Sequence, residues 1–437
     1  TVLAVEYGGM NEAMYQLYEI TGKEEHAAAA HAFDEISLFA PIHDGEDILN
    51  GKHANTTIPK FLGALERYIA LGEGEVWYLE AAEAFWELVT THHSYITGGN
   101  SEWEHFGEPY ILDAERTNCN CETCNTYNML KMSRALFCIT KNKKYADFYE
   151  NTYRNAILSS QNPETGMTMY FQPMATGFFK VYSTPFESFW CCTGTGMENF
   201  TKLGDSLYFG DEETIYVNQY VSSVLKAEEF GVTLTQVSSI PEQETSEFTV
   251  EGDCKIALRV PDWAAGELRV LANGKAAEPV CVNGYLFVNC LNHTEISVTI
   301  PMKITIDRLP DNPRAIAFKY GPVVLSAGLG QADMAESTTG VDVTIPTKHM
   351  QIQDFLIVED AEAFIRHIEE HILRDGDKLA FRLKGTDQDA LVFTPHYLKY
   401  NERYGIYWRI ISDGSEELKA YLAEQALRER REKACVD

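Results

Sequence analysis

The sequence predicts a multidomain α + β protein in which a helical domain is followed by β-sandwich domains, and three observations carry that prediction. The first 209 residues contain a helical hairpin pattern that returns. After Gly210 the apolar residues change to a period of two. At 437 residues the chain also exceeds the size at which one core stops growing. The expected domains are residues 1–209, residues 210–314 as a β-sandwich, and residues 315–437 as a second β-rich domain closed by a C-terminal helix.

Residues 9–38 read as two helices broken at Ile20-Thr21-Gly22-Lys23. The segment running from Ile20 to Ala27 returns from Ile139 to Ala146, and Leu71-Gly72 followed by Trp77 to Ala82 makes a looser third copy. Recurring hairpins build either an open solenoid or a closed α/α toroid. The connections 41–55, 94–121 and 161–190 are long, polar and aromatic, which favours a toroid with its site on the loop rim. Beyond them, 214–221, 255–260, 268–271, 285–288 and 296–300 alternate as half-buried strands, with Asn273-Gly274 and Asn283-Gly284 as hairpin turns. Residues 317–325 and 404–410 read as further strands, 359–373 as an inserted helix, and 415–433 as a charged helix that docks through Leu418, Tyr421, Leu422 and Ala426.

A net charge of −29 argues against nucleic acid or an anionic membrane as partner and suits a neutral substrate. No run of 18 apolar residues is present. The chain begins with Thr1, and Thr1-Val2-Leu3-Ala4-Val5 lacks the charged flank of a secretion signal, so a cut N-terminus is expected. Ten cysteines, five of them clustered at 119, 121, 124, 191 and 192, favour reduced, metal-bound thiols and a cytoplasmic setting.

Two stretches 67 residues apart carry the chemistry. Glu122-Thr123-Cys124 opens a helix, and Cys191-Cys192 stands before Thr193-Gly194-Thr195-Gly196. Three thiols and a carboxylate are the ligand types of a tetrahedral zinc site, with Glu122, Cys124, Cys191 and Cys192 as ligands. Neighbouring cysteines reach one ion only from a sharply bent backbone, which Gly194 and Gly196 would permit. The competing reading is that Cys124 and Cys191 are ordinary buried cysteines. Between the helices, Glu102, Glu104 and Glu108 alternate with Trp103, His105 and Phe106, apolar walls that would raise a carboxyl towards neutrality as a general acid requires. His53 and Tyr170 could donate hydrogen bonds to a sugar or be satisfied interior residues. A zinc-tempered thiolate paired with a protonated carboxyl could cleave a glycosidic bond with retention, whereas four protein ligands leave no open position for an activated water.

At these residues the chain resembles glycoside hydrolase families 127 and 146, typified by β-L-arabinofuranosidases. The similarity runs through Gly8 to Glu12, Gly51 to Asn55, Ile96 to Ser101, Trp103 to Phe106, Glu122 to Lys131, Ser188 to Glu198 and Tyr400 to Tyr404. It implies an (α/α)6 barrel lacking its first helices, followed by β-sandwich domains. It implies Zn2+ on Glu122, Cys124, Cys191 and Cys192, Cys191 as nucleophile, and Glu104 as acid/base with Glu108 as rival. It further implies that His53 and Tyr170 contact the sugar and that Gly8 or Gly9 stands where relatives have a sugar-binding His. Cys119 and Cys121 receive no role. The expectation is a retaining exo-glycosidase acting on an arabinofuranosyl glycan, with room for self-association into a homo-oligomer. The rivals are an epimerase, lyase or rare-sugar hydrolase of this fold, and a carbohydrate-binding protein with structural zinc.

Overall fold

The computed structural model describes residues 7–339, 342–347 and 352–436; the stretch Thr1 to Val5 lies outside them. The helical part begins with α1 (Met10–Thr21) and α2 (Glu24–His31), then α3 (Ile36–His43), α4 (Ala54–Leu71), α5 (Val76–His92), α6 (Thr123–Thr140), α7 (Lys143–Thr152) and α8 (Cys191–Thr201). The three sequence copies fall on the turns of the hairpins α1–α2, α4–α5 and α6–α7. Each first helix ends at a positive φ, at Gly22 (63°), Gly72 (86°) and Lys141 (53°). Glycine reaches that region freely, while Lys141 is held there as its Nζ donates to the Cys138 carbonyl at 2.6 Å.

Helix α4 packs against α1, α5 and α6. Its apolar face places Ile58, Phe61 and Leu65 in a core shared with Phe39, Phe85, Trp86, Met132 and Tyr145, and Phe61 stacks on Phe85 at 4.0 Å. The hairpin expected over 9–38 is interrupted, since its second helix ends at His31 and another starts at Ile36.

The middle region is a sandwich. One sheet runs Tyr208–Asp211, Thr214–Val217, Cys254–Arg259, Tyr285–Cys290, Val280–Val282, with the second and third strands parallel. The other runs Ser223–Ala227, Val232–Ser238, Thr245–Glu251, His293–Thr299, Arg269–Ala272, Lys275–Ala276. Val217, Leu234, Val250, Leu258 and Val298 fill the space between them. The strand expected over 214–221 ends at Val217; beyond it the Asn218 carbonyl accepts from Arg259 Nε at 2.7 Å and its amide donates to the Leu207 carbonyl at 2.9 Å.

A nine-stranded sheet follows, with Ile316, Phe318, Leu325, Phe393 and Trp408 in its core. The helix expected over 359–373 divides into Ala361–Arg366 and Ile368–His371 at His367, and Ile372–Arg374 is strand. Pairing of Ile372 with Leu383 overrides local helix preference there. The C-terminal helix Glu416–Val436 docks Leu418 and Tyr421 on Phe355; Leu422 points outward and is exposed.

These β regions brace the loops of the helical part. Asp311 accepts from the amides of Leu112, Asp113 and Ala114 at 2.8–3.0 Å, and Tyr407 Oη accepts from the Ile96 amide at 2.8 Å. Tyr404 Oη donates to the Pro173 carbonyl at 2.8 Å, and Trp190 Nε1 donates to the Asp342 carbonyl at 3.1 Å. Loops tied at this many points can hold side chains to the tolerance that catalysis demands.

Candidate active site and metal centre

Glu122 is the N-cap of α6 and Cys124 lies in its first turn, so both project from one end of the helix. Cys191 and Cys192 are the first two residues of α8, entered through an extended Trp190 (φ −68°, ψ 149°). The structure therefore corrects the expected glycine-made bend. Both glycines are helical, and the change from extended Trp190 to helix is what turns the two sulfurs to the same side. Gly196 instead permits close approach, since a Cβ there would stand 2.6 Å from Thr168 Cγ2.

The four ligand atoms lie within 4.8 Å of one another. Cys192 Sγ is 3.3 Å from Cys124 Sγ and 3.9 Å from Cys191 Sγ, and both Cys191 and Cys192 sulfurs are 3.6 Å from Glu122 Oε1. A tetrahedral zinc with ligands at its usual bond lengths sets sulfur–sulfur separations of about 3.8 Å and sulfur–oxygen separations of about 3.5 Å. The donor set fits that ion in type, number and spacing. Its electrostatics point the same way. Burial, and next the charge of Cys191, push the Glu122 carboxyl up, and Glu122 Oε2 is buried without a partner. Burial drives Cys192 up, while contact with Cys191 drives up Cys124. Cys191, in contact with the Cys124 and Cys192 thiols, is held well below an ordinary thiol. Four acidic groups packed so closely cannot all ionise unless a cation joins them. Cys191 alone of the four is exposed.

Above this cluster stands Glu104. The backbone is left-handed at Ser101 (φ 75°), Trp103 (43°) and Glu104 (67°), a conformation costly for residues with side chains. It is held by bonds to the start of α4, where the Glu104 carbonyl accepts from the Ala54 amide at 2.7 Å, the Phe106 amide donates to the Lys52 carbonyl at 3.0 Å and the Phe106 carbonyl accepts from the Gly51 amide at 2.8 Å. His53, the N-cap of α4, accepts from the Thr56 amide on Nδ1, so Nε2 carries the proton that it donates to Glu104 Oε2 at 3.0 Å. The Tyr170 hydroxyl donates to Glu104 Oε1 and lies 4.0 Å from Cys191 Sγ. Tyr170 is positioned because its carbonyl accepts from the Thr123 amide at 2.9 Å.

The expected apolar lift of Glu104 does not occur. The His53 hydrogen bond, against burial and helped by Tyr170, lowers its carboxyl below the usual glutamate range. Trp103 is 39% exposed, Phe106 is turned into the core against Phe85, and the His105 ring faces His53. Glu108 is exposed and accepts from Asn50, and Glu102 accepts from Thr117 Oγ1 at 3.1 Å, so Glu104 is the carboxylate of the three that shares Tyr170 with Cys191.

Several residues at the site went unread in the sequence. Asn55 Nδ2 donates to Glu122 Oε1 at 3.3 Å, and Thr195, one helical turn beyond Cys191, lies 3.3 Å from Cys124 Sγ. Asp47 Oδ2 meets His92 Nδ1 at 2.7 Å and His93 Nε2 at 2.9 Å. Burial opposes the Asp47 charge, but His93 and His92 hold its carboxyl down at about 2, tying the loop before α4 to the end of α5. The paired histidines at a helix end were the available signal. Cys119 and Cys121 are packing residues that burial drives up, Cys119 to about 12.

The chain matches the family profile for the β-L-arabinofuranosidase GH127 catalytic domain over residues 1–205, that for the GH127 middle domain over 214–303, and a domain of unknown function over 305–410. A curated relative, the non-reducing end β-L-arabinofuranosidase of Bifidobacterium longum subsp. longum, is 22% identical over 306 residues, which span 62% of this chain and 46% of the relative. The chain thus spans less than half the length of that protein. Among solved structures, a GH127 β-arabinofuranosidase aligns with a TM-score of 0.67 at 19% identity, covering 92% of this chain and 68% of the other. A GH127 β-L-arabinofuranosidase from Geobacillus stearothermophilus T6 aligns at 0.64 and 18% identity, covering 92% and 72%. These two likenesses show the fold.

Proposed function

The chain belongs to glycoside hydrolase family 127, and from its site we propose a retaining β-L-arabinofuranosidase in which Cys191 is the nucleophile and Glu104 the acid/base. The observation that carries this reading is the single Tyr170 hydroxyl that bonds Glu104 and reaches Cys191. A carboxyl and a nucleophile that meet one hydroxyl lie close together, which favours the closely spaced arrangement of retaining enzymes (about 5–5.5 Å) over the wider one (about 6.5–9.5 Å) that leaves room for water between them.

Zn2+ is proposed on Glu122, Cys124, Cys191 and Cys192, where it would keep the sulfurs ionised and lower the proton affinity of Cys191. In the first step Cys191 Sγ attacks the anomeric carbon as the glycosidic bond breaks, and Glu104 gives its proton to the leaving oxygen. A thioglycoside on Cys191 results. In the second, the Glu104 carboxylate takes a proton from water, whose oxygen displaces the sulfur and releases the sugar with its configuration retained. His53 orients Glu104, and Tyr170 donates to whichever of the two groups carries charge. The arabinofuranosyl substrate rests on the activity named for the relatives, and a neutral sugar agrees with the chain's net charge of −29.

The test is release of nitrophenol from an aryl β-L-arabinofuranoside by the zinc-loaded protein. Cys191→Ala should abolish turnover while the circular dichroism spectrum persists. Undiminished turnover rejects the nucleophile, and metal analysis finding no zinc at about one per chain rejects the metal centre.

A further inference from the structure

We infer that Asn55, oriented by Asn128, is a positioning residue for the metal centre, acting through the Glu122 carboxylate. The inference rests on the zinc reading above. Asn55 Nδ2 donates to Glu122 Oε1 at 3.3 Å, and Oε1 is the oxygen that stands 3.6 Å from both Cys191 and Cys192 sulfurs. The remaining oxygen, Oε2, has no protein partner. Asn55 is thus the one side-chain amide bonded to the carboxylate among the described residues. Asn128 Nδ2 donates in turn to Asn55 Oδ1 at 3.1 Å. The order of donors follows from charge: a reversed Asn55 amide would set its oxygen against the carboxylate oxygen, so its NH2 faces Glu122 and its carbonyl must find a donor elsewhere. Asn128 supplies that donor.

Placement makes this pair more than a local bond. Asn128 lies one helical turn beyond Cys124 on α6, so the residue that fixes Asn55 rides on the helix that carries two of the four ligands. Asn55 is in the first turn of α4, two residues after His53, whose Nε2 bonds Glu104. One helix start therefore holds the acid/base through His53 and the metal-binding carboxylate through Asn55. Outer partners of metal ligands commonly contribute 10–100-fold to metal affinity.

The experiment measures zinc affinity by competition with a chromophoric chelator for the unaltered protein, Asn55→Ala, Asn55→Asp and Asn128→Ala, together with the thermal midpoint of each metal-free form. Asn55→Ala should weaken zinc binding roughly 10–100-fold. Asn55→Asp, isosteric but placing a carboxylate against Glu122, should weaken it at least as much. Asn128→Ala should move in the same direction by less. The metal-free midpoints of Asn55→Asp and Asn128→Ala should stay near that of the unaltered protein, and excess zinc should restore turnover in Asn55→Ala. Affinities within twofold of the unaltered protein for both Asn55 variants overturn the inference. So does a fall in metal-free stability that accounts for the lost affinity, or a defect that excess zinc does not repair. Failure of the unaltered protein to bind zinc overturns the underlying metal reading instead, which separates the two.

Discussion

At Glu104 two opposing effects meet, and hydrogen bonding outweighs burial. Half-burial favours the neutral acid, yet the proton on His53 Nε2 and the Tyr170 hydroxyl both point at the carboxylate and hold it below the usual range. The consequence for pH dependence has a definite sign. A general acid must be protonated, so the rate falls as pH rises through the Glu104 pKa, and this forms the high-pH limb. His53→Ala removes a bond to the charged form and raises that pKa, so the limb should move to higher pH while the maximal rate drops. Glu104→Gln should remove the limb. A pH profile of kcat/KM that moves downward in His53→Ala, or that loses its limb in Glu108→Gln, would transfer the role away from Glu104. Residue types and spacing brought the four candidate ligands and the carboxylates Glu102, Glu104 and Glu108 to notice before any fold was known, and the family resemblance singled out Glu104, His53 and Tyr170. The hydrogen-bond partners that decide their protonation come from loops far apart in the chain, and spacing carries no information about those.

Helix α8 shows what an element adds to its residues. Its sequence, Cys191-Cys192-Thr193-Gly194-Thr195-Gly196, has poor helix formers, yet it forms a helix because its start is tethered at Trp190 and Cys192 is buried beneath it. The two glycines have separate reasons to be there. A Cβ at Gly194 would meet nothing within 4 Å, whereas one at Gly196 would meet Thr168 at 2.6 Å. Gly194→Ala should therefore stabilise the protein by up to about 1 kcal/mol through helix propensity. Gly196→Ala should destabilise it by about 1–3 kcal/mol through overpacking against Thr168 and should weaken zinc binding as α8 shifts. Urea unfolding of both variants checks this, and equal effects at the two positions would contradict the packing argument. Glycines in the sequence suggested a bend, because a glycine that relieves strain and a glycine that admits a neighbour look alike until the neighbour is known.

Over the whole molecule, the helical part and the middle sandwich meet at a buried ion cluster. Arg259, fully buried on its strand, pairs with Asp147 and Glu150 of α7, and Trp263 Nε1 donates to Glu150 at 2.8 Å. Arg259→Ala would leave Asp147 with Lys143 and Glu150 with Arg154 and Trp263, each short of its fully buried partner, and should cost about 3 kcal/mol, read as a lower urea midpoint for the whole unit. A loss below about 1 kcal/mol would show that the two parts are held by their apolar contacts alone. By itself the sequence determined the succession of helices and then sheets, the three hairpin turns and the identity of the candidate ligands, because periodicity, turn chemistry and side-chain type are local properties. The tertiary structure alone decided that the Glu104 carboxyl is held down rather than lifted, that Asn55 and Asn128 stand behind the Glu122 carboxylate, and that Arg259 joins the helical part to the middle sandwich. Each of those outcomes depends on which distant groups share a buried, low-dielectric space, and only the folded chain brings them together.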